Sequence, residues 1–170
     1  MEYPVPEDVH AIHRAVIESD TKTEPGVRTP EAVESALLYV SEGYFGQVPE
    51  TLHEKAFHLM RLLAAEHPYV DGNKRTALTT AVVFYALNDY YFDHDDRIRT
   101  ILKAFATDEQ QAEIEPKLRY FREGTVCALH ADKPVQRLTK PAADRESIVK
   151  RFVSFHIERH KETYEKLARE

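Results

Sequence analysis

Between Ala77 and Leu87 the chain offers almost no polar face. Ala77, Leu78, Ala81, Val82, Val83, Phe84, Ala86 and Leu87 fall on nearly every side of a helix drawn through them. A helix apolar all round must be surrounded by protein or by lipid. This stretch is too short to span a bilayer and is interrupted by Thr79 and Thr80. It therefore predicts a central helix, from about Asn73 to Asn88, with other elements packed about it. Their apolar residues recur at helical rather than strand spacing almost throughout. Val9, Ile12, Val16 and Ile17 line a first helix opened by Glu7 and Asp8 after Pro6. Thr29 followed by Pro30 and Glu31 reads as the cap and first turn of a second, through Val33, Ala36, Leu37 and Val40 to Glu42-Gly43. A third begins near Pro49-Glu50 and stops before His67-Pro68. Ile98, Ile101, Leu102 and Phe105 mark a fifth, and Ile114, Leu118 and Phe121 a sixth. Residues 125–143, with Pro134 and Pro141, read as a linker, and a charged helix follows from Asp144 to the end. The expected fold is an all-α bundle with a buried central helix and a C-terminal helical extension.

Composition narrows what such a bundle can do. The 170 residues carry a net charge of −6, against a broad nucleic-acid or membrane-surface binder. Cys127 is the single cysteine, so no internal disulfide forms and a reducing, cytoplasmic setting is expected. The start Met1-Glu2-Tyr3-Pro4 lacks the basic and apolar pattern of a secretory signal.

The chemistry lies in the stretch before the central helix, His67-Pro68-Tyr69-Val70-Asp71-Gly72-Asn73-Lys74-Arg75. The first N–H groups of a helix have no partners within it and carry partial positive charge. Gly72 removes the side chain that would hold an anion away from them. Lys74 and Arg75 add two full charges at an end where basic residues are disfavoured unless something negative binds. The place is an anion cradle, and phosphate is the guest it suits best.

The complete string resembles the active-site motif of the Fic/Doc family, in which His, an aromatic residue, an acid, Gly or Ala, Asn, a variable residue and Arg follow in this order. Ile12-His13, Gly26-Val27-Arg28, Glu34-Ser35-Ala36-Leu37 and Asn88-Asp89-Tyr90 extend the resemblance, over about residues 1–124, to the Doc (death-on-curing) toxin branch. Residues 1–124 would then be the catalytic domain, 125–143 a linker and 144–170 a terminal helix. The resemblance implies roles. His67 would be the general base toward a hydroxyl of a target protein, since imidazole can accept a proton near neutral pH. Asp71 would hold Mg²⁺ against the phosphates of ATP. Gly72, Asn73 and Lys74 would form the anion hole, with Lys74 and Arg75 neutralising charge during transfer. Gly26, Val27, Arg28 and Thr29 would be a flap that pairs with an extended piece of the target. Tyr69 stands where the family usually has Phe, and its hydroxyl needs a partner.

The family holds two chemistries. AMP-transferring members have Gly at the place of Lys74 and usually a second Arg at the place of Leu78. The lysine resembles instead a kinase that seats the γ-phosphate of ATP in the anion hole. The expected activity is therefore transfer of that phosphate to a Ser or Thr hydroxyl, with protein adenylylation second and a catalytically inactive interaction module third. By family analogy the target is a translation GTPase such as elongation factor Tu. No Ser/Thr-xxx-Glu-Gly/Asn inhibitory string occurs, which favours restraint by a separate Phd-like antitoxin. No membrane or direct nucleic-acid partner is expected.

Other features have plainer readings. His156 and His160 lie four apart, as zinc ligands often do, but no third ligand is apparent. Asp95 or Asp96 beside His94 reads as a helix cap. The three- and four-residue steps of Val149, Val153, His156, His160, Tyr164 and Leu167 suit either a homodimer arm or a flap over the bundle.

Overall fold

The computed structural model describes residues 1–107, 113–127 and 145–170. Eight helices carry the described chain: α1 (Pro6–Ser19), α2 (Pro30–Glu42), α3 (Leu52–Glu66), α4 (Asn73–Leu87), α5 (Ile98–Thr107), α6 (Ile114–Glu123), α7 (Arg145–Arg159) and α8 (Lys161–Arg169). A two-stranded antiparallel ribbon, β1 (Tyr90–Phe92) on β2 (Thr125–Cys127), is the one sheet among the described residues. The class is all-α.

Helix α4 holds the centre. Every residue from Arg75 to Leu87 is buried, with α3 packed most extensively on it and α1, α5, α7 and α8 around the remainder. Two of its buried hydroxyls turn back on the helix itself: Thr79 Oγ1 donates to the Arg75 carbonyl and Thr80 Oγ1 to that of Thr76, each at 2.7 Å. Thr79 Oγ1 also meets the Tyr164 hydroxyl at 2.6 Å, while Thr76 Oγ1 is buried without a partner among the described residues.

The helix starts follow local rules. Helix α2 begins at Pro30 after Thr29, as expected. Helix α3 begins at Leu52 rather than near Pro49-Glu50, because Thr51 and Glu54 form a capping box. The Glu54 amide donates to Thr51 Oγ1 at 3.1 Å, and the Glu54 carboxylate receives the Glu50 and Thr51 amides.

Two sequence expectations are corrected. Residues 125–127, assigned to the linker, are strand β2, paired Tyr90 to Cys127, Tyr91 to Val126 and Phe92 to Thr125. The rest of that linker, 128–143, and Asp144 lie outside the described residues. The terminal helix is two helices, broken at His160, whose backbone (φ −113°, ψ 32°) leaves the helical region. Its apolar stripe is covered within the chain. Val149, Phe152, Val153, Tyr164 and Leu167 join the same core as α1 and α4, which matches the flap reading of that stripe. Asp95 does serve the turn before α5, accepting from the Arg97 amide at 2.9 Å.

Candidate active site

Helix α3 ends on His67 in the left-handed region (φ 49°, ψ 60°). A non-glycine residue there costs about 1 kcal/mol. The bend lifts the imidazole out of the helix and into solvent, and among the described residues it makes no hydrogen bond or ion pair. The chain then dives: Tyr69 is fully buried while Val70 returns to the surface. The Tyr69 hydroxyl finds its partner in His10 Nδ1 at 2.8 Å, and its ring stacks on His13 at 3.7 Å between centroids.

Three contacts hold the main chain of this loop. The Asn73 side-chain carbonyl accepts from the Tyr69 amide, and its NH₂ donates to the Tyr69 carbonyl, both at 2.9 Å. His13 Nε2 lies 2.9 Å from the Asp71 carbonyl. Asn73 thus clamps the loop, and its side-chain amide is engaged before any ligand arrives. His13 is a positioning residue that the sequence offered only within the Ile12-His13 pair of the Doc resemblance, with no role attached. Burial lowers its basicity, so the neutral ring is the form that supports the loop.

Gly72 sits at φ 78° as the cap of α4. Its amide donates to Asp71 Oδ1 at 2.7 Å. The N–H groups of Asn73, Lys74 and Arg75 have no hydrogen-bond partner among the described residues. That leaves three donors at the positive end of a fifteen-residue helix.

The two cations at this end are held differently. Arg75 is buried, with 4% of its side chain exposed. It donates to Thr23 Oγ1 at 3.0 Å and lies 3.6 Å from Asp20 and 3.8 Å from Asp71. Burial works against its charge while the two carboxylates sustain it, and a guanidinium stays protonated in any case. Lys74 reaches to the other side, where its Nζ is 3.7 Å from a Glu170 carboxylate oxygen at the end of α8. Arg99 pairs with that same carboxylate. Asp71 remains 46% exposed, and its second oxygen accepts only a 3.3 Å bond from the Glu24 amide.

The predicted flap lies against the loop. Residues 26–29 form one short antiparallel bridge, Val27 opposite Tyr69. The Val70 amide donates to Gly26 at 3.0 Å, and the Arg28 and Thr29 amides both donate to the Pro68 carbonyl, at 2.8 and 3.0 Å. In such a pair the N–H and C=O of Val27 itself point away from the loop, and neither has a partner among the described residues. Gly26 must be glycine. At φ 136° a side chain would be strained, and its Cβ would come within 2.9 Å of Val70 Cγ2.

Beside Asp71 and Arg75 opens a cleft of about 690 Å³. One wall is the end of α1 with Lys22 and Thr23; the other is α7 and α8, including Ile157, Lys161 and Tyr164. That volume lies within the range of small-molecule sites. The sequence allowed α7 and α8 as a flap over the bundle but marked none of their residues for the site. His67, Asp71, Gly72, Asn73, Lys74 and Arg75 are brought together at one end of α4 with the flap alongside.

Among the described residues no helix is long and apolar enough to cross a membrane. No curated protein and no solved structure matches the chain. Residues 3–85 match the model of the Fic/DOC family, whose members transfer nucleotide-derived groups to proteins. The part of the chain that holds the flap, the loop and nearly all of α4 is thus similar to the Fic/DOC family.

Proposed function

We propose that this chain is a Doc-like protein kinase that moves the γ-phosphate of ATP to a Ser or Thr hydroxyl of a target protein. The observation that carries the reading is the set of three unpartnered amides at the start of α4, flanked by Lys74 and Arg75 and close in the chain to the exposed His67. The amides and the two cations bind the terminal phosphate and take up the charge that grows on its oxygens. His67 accepts the proton of the attacking hydroxyl. The hydroxyl oxygen bonds to the γ-phosphorus as the bond to the β,γ-bridging oxygen breaks, and ADP leaves with that electron pair. Asp71 suits a hard divalent cation, being half-exposed and only lightly hydrogen-bonded at one oxygen. Bound there, Mg²⁺ would screen the phosphate charges. The outward N–H and C=O of Val27 are placed to pair with an extended stretch of the target.

Phosphate transfer is preferred to AMP transfer on two residues. Lys74 puts bulk and charge where adenylylating relatives have Gly. Leu78 stands where they carry a second Arg, and it is fully buried in the core, facing no ligand. The Doc resemblance further points to a translation GTPase such as elongation factor Tu as target, to growth inhibition, and to a separate Phd-like antitoxin in the cytoplasm. The test is incubation with α- or γ-labelled ATP, Mg²⁺ and candidate targets. Label from the γ position alone is expected. Label from the α position would replace the kinase by an AMP transferase.

A further inference from the structure

Away from the active site, three histidines meet. His94 follows β1, His156 belongs to the last turn of α7, and His160 is the break between α7 and α8. Their exposures are 3%, 0% and 11% of the residue, residue and side chain respectively. Each turns one ring nitrogen toward the others, and these three atoms all lie within 4.8 Å of one another. Nε2 of His94 and Nε2 of His156 are 2.8 Å apart. One shared proton would account for that pair. It leaves Nδ1 of His94 buried without a well-aligned hydrogen bond and Nε2 of His160 facing only the Asp93 carboxylate, at 3.0 Å.

The surroundings complete the picture of a ligand set. His156 Nδ1 is 3.0 Å from the Tyr91 hydroxyl, which fixes the ring and frees Nε2 to face its neighbours. An outer oxygen that orients a histidine through its second nitrogen is a regular part of metal sites. Asp93 Oδ1 lies 3.0 Å from His160 Nε2, so a carboxylate adjoins the trio. In a tetrahedral site with Zn–N bonds near 2.0–2.1 Å, neighbouring nitrogens lie about 3.3 Å apart. The 2.8 Å pair is about 0.5 Å closer than that and the 4.8 Å outer limit about 1.5 Å wider, so rotamer adjustments of up to about 1.5 Å would close the site.

We propose that His94, His156 and His160 bind one divalent transition-metal ion, zinc by preference, in a structural site with Asp93 at its edge. Imidazole nitrogens in this number favour zinc, copper or nickel over the hard Mg²⁺ of phosphate chemistry. The site joins the β1–α5 connection to the α7–α8 joint. It therefore fixes the helix that carries Tyr164 into the cleft and Glu170 to Lys74. It is independent of the kinase reading and stands or falls on metal binding alone.

The test uses the full chain, stripped with a chelator and dialysed, then titrated with ZnCl₂ against a chromophoric competitor. One zinc per chain is expected, with a rise in melting temperature on zinc addition that MgCl₂ does not reproduce. Loading with Co²⁺ in place of zinc should give the intense visible bands of a tetrahedral nitrogen-ligated ion. His160→Gln, at the least buried ligand, should weaken zinc binding at least about tenfold, while His53→Gln, outside the cluster, should leave it unchanged. Wild-type protein that retains no zinc and shows no tetrahedral cobalt spectrum would overturn the proposal. So would His160→Gln and His94→Gln variants that bind zinc as tightly as the wild type.

Discussion

Replacing Asn73 by Ala removes both hydrogen bonds that clamp the main chain at Tyr69, each 2.9 Å long. Tyr69 is fully buried, and no other partner for its N–H or C=O is present among the described residues. Each stranded backbone group costs about 1–3 kcal/mol. Asn73 is itself half-buried, so water relieves part of the penalty, and about 3 kcal/mol in total is expected. For a chain of 170 residues that corresponds to a fall in melting temperature of about 6–12 °C. Asn73→Asp is the informative companion: it keeps an acceptor for the Tyr69 amide but sets a carboxylate against the Tyr69 carbonyl. It should lose roughly half as much, because a negative charge is favoured at the first turn of α4. Urea unfolding followed by circular dichroism measures both variants. An Asn73→Ala protein within about 0.5 kcal/mol of wild type, the usual range of inconsequential surface changes, would refute the clamp.

The remaining expectations concern the site, the acid limb and the C-terminal helices. His67→Gly should abolish phosphate transfer yet stabilise the fold by about 0.5–1 kcal/mol, since glycine accepts the left-handed backbone there without strain; a thermal melt paired with the labelled-ATP assay checks the opposite signs. His58 is held to about 4 by burial, with Arg61 acting in the same direction. Its folded pKa is below the unfolded value, so its contribution is complete above pH 6.5 and is lost as the pH falls from there toward 4. Between pH 7 and 5 the loss, reduced by solvent screening of this part-exposed ring, is about 1 kcal/mol, and His58→Gln should remove that share of the pH dependence in urea midpoints. Tyr164→Phe strands no donor, because Thr79 Oγ1 still bonds to the Arg75 carbonyl; removal of the 2.6 Å hydroxyl pair should cost about 1 kcal/mol in the same unfolding assay.

Local signals were legible wherever one turn of chain decides the outcome. Thr29-Pro30 marked the start of α2, the all-round apolarity of residues 77–87 marked the core helix, and the string from His67 to Arg75 marked the candidate site. What escaped depends on contacts between distant residues. His94 lies 62 residues before the histidine it meets at 2.8 Å, and nothing near it hints at a partner. Strands of three residues are too short to display alternation. The break at His160 has neither proline nor glycine to announce it. The helical spacing runs straight through, and the chain bends where tertiary contacts act on both sides: Arg159 and His160 with Asp93, then Thr163 and Lys166 with Asp96. Tyr69 was readable as needing a partner, but that the partner is His10 was not.

The cleft beside Asp71 and Arg75 has one wall from α1 and its following turn and the other from α7 and α8. The two walls leave the ribosome at very different times, with α5, α6 and the ribbon made between them. A nascent chain released as far as α4 would already carry the loop, its clamp and its flap, yet have open space where the far wall belongs. It would also show water the apolar sides of α1 and α4 that Val149, Phe152, Val153 and Leu167 later cover. Maturation of the pocket is thereby tied to the synthesis of α7 and α8, and a chain that stops before them would be left sticky and half-built.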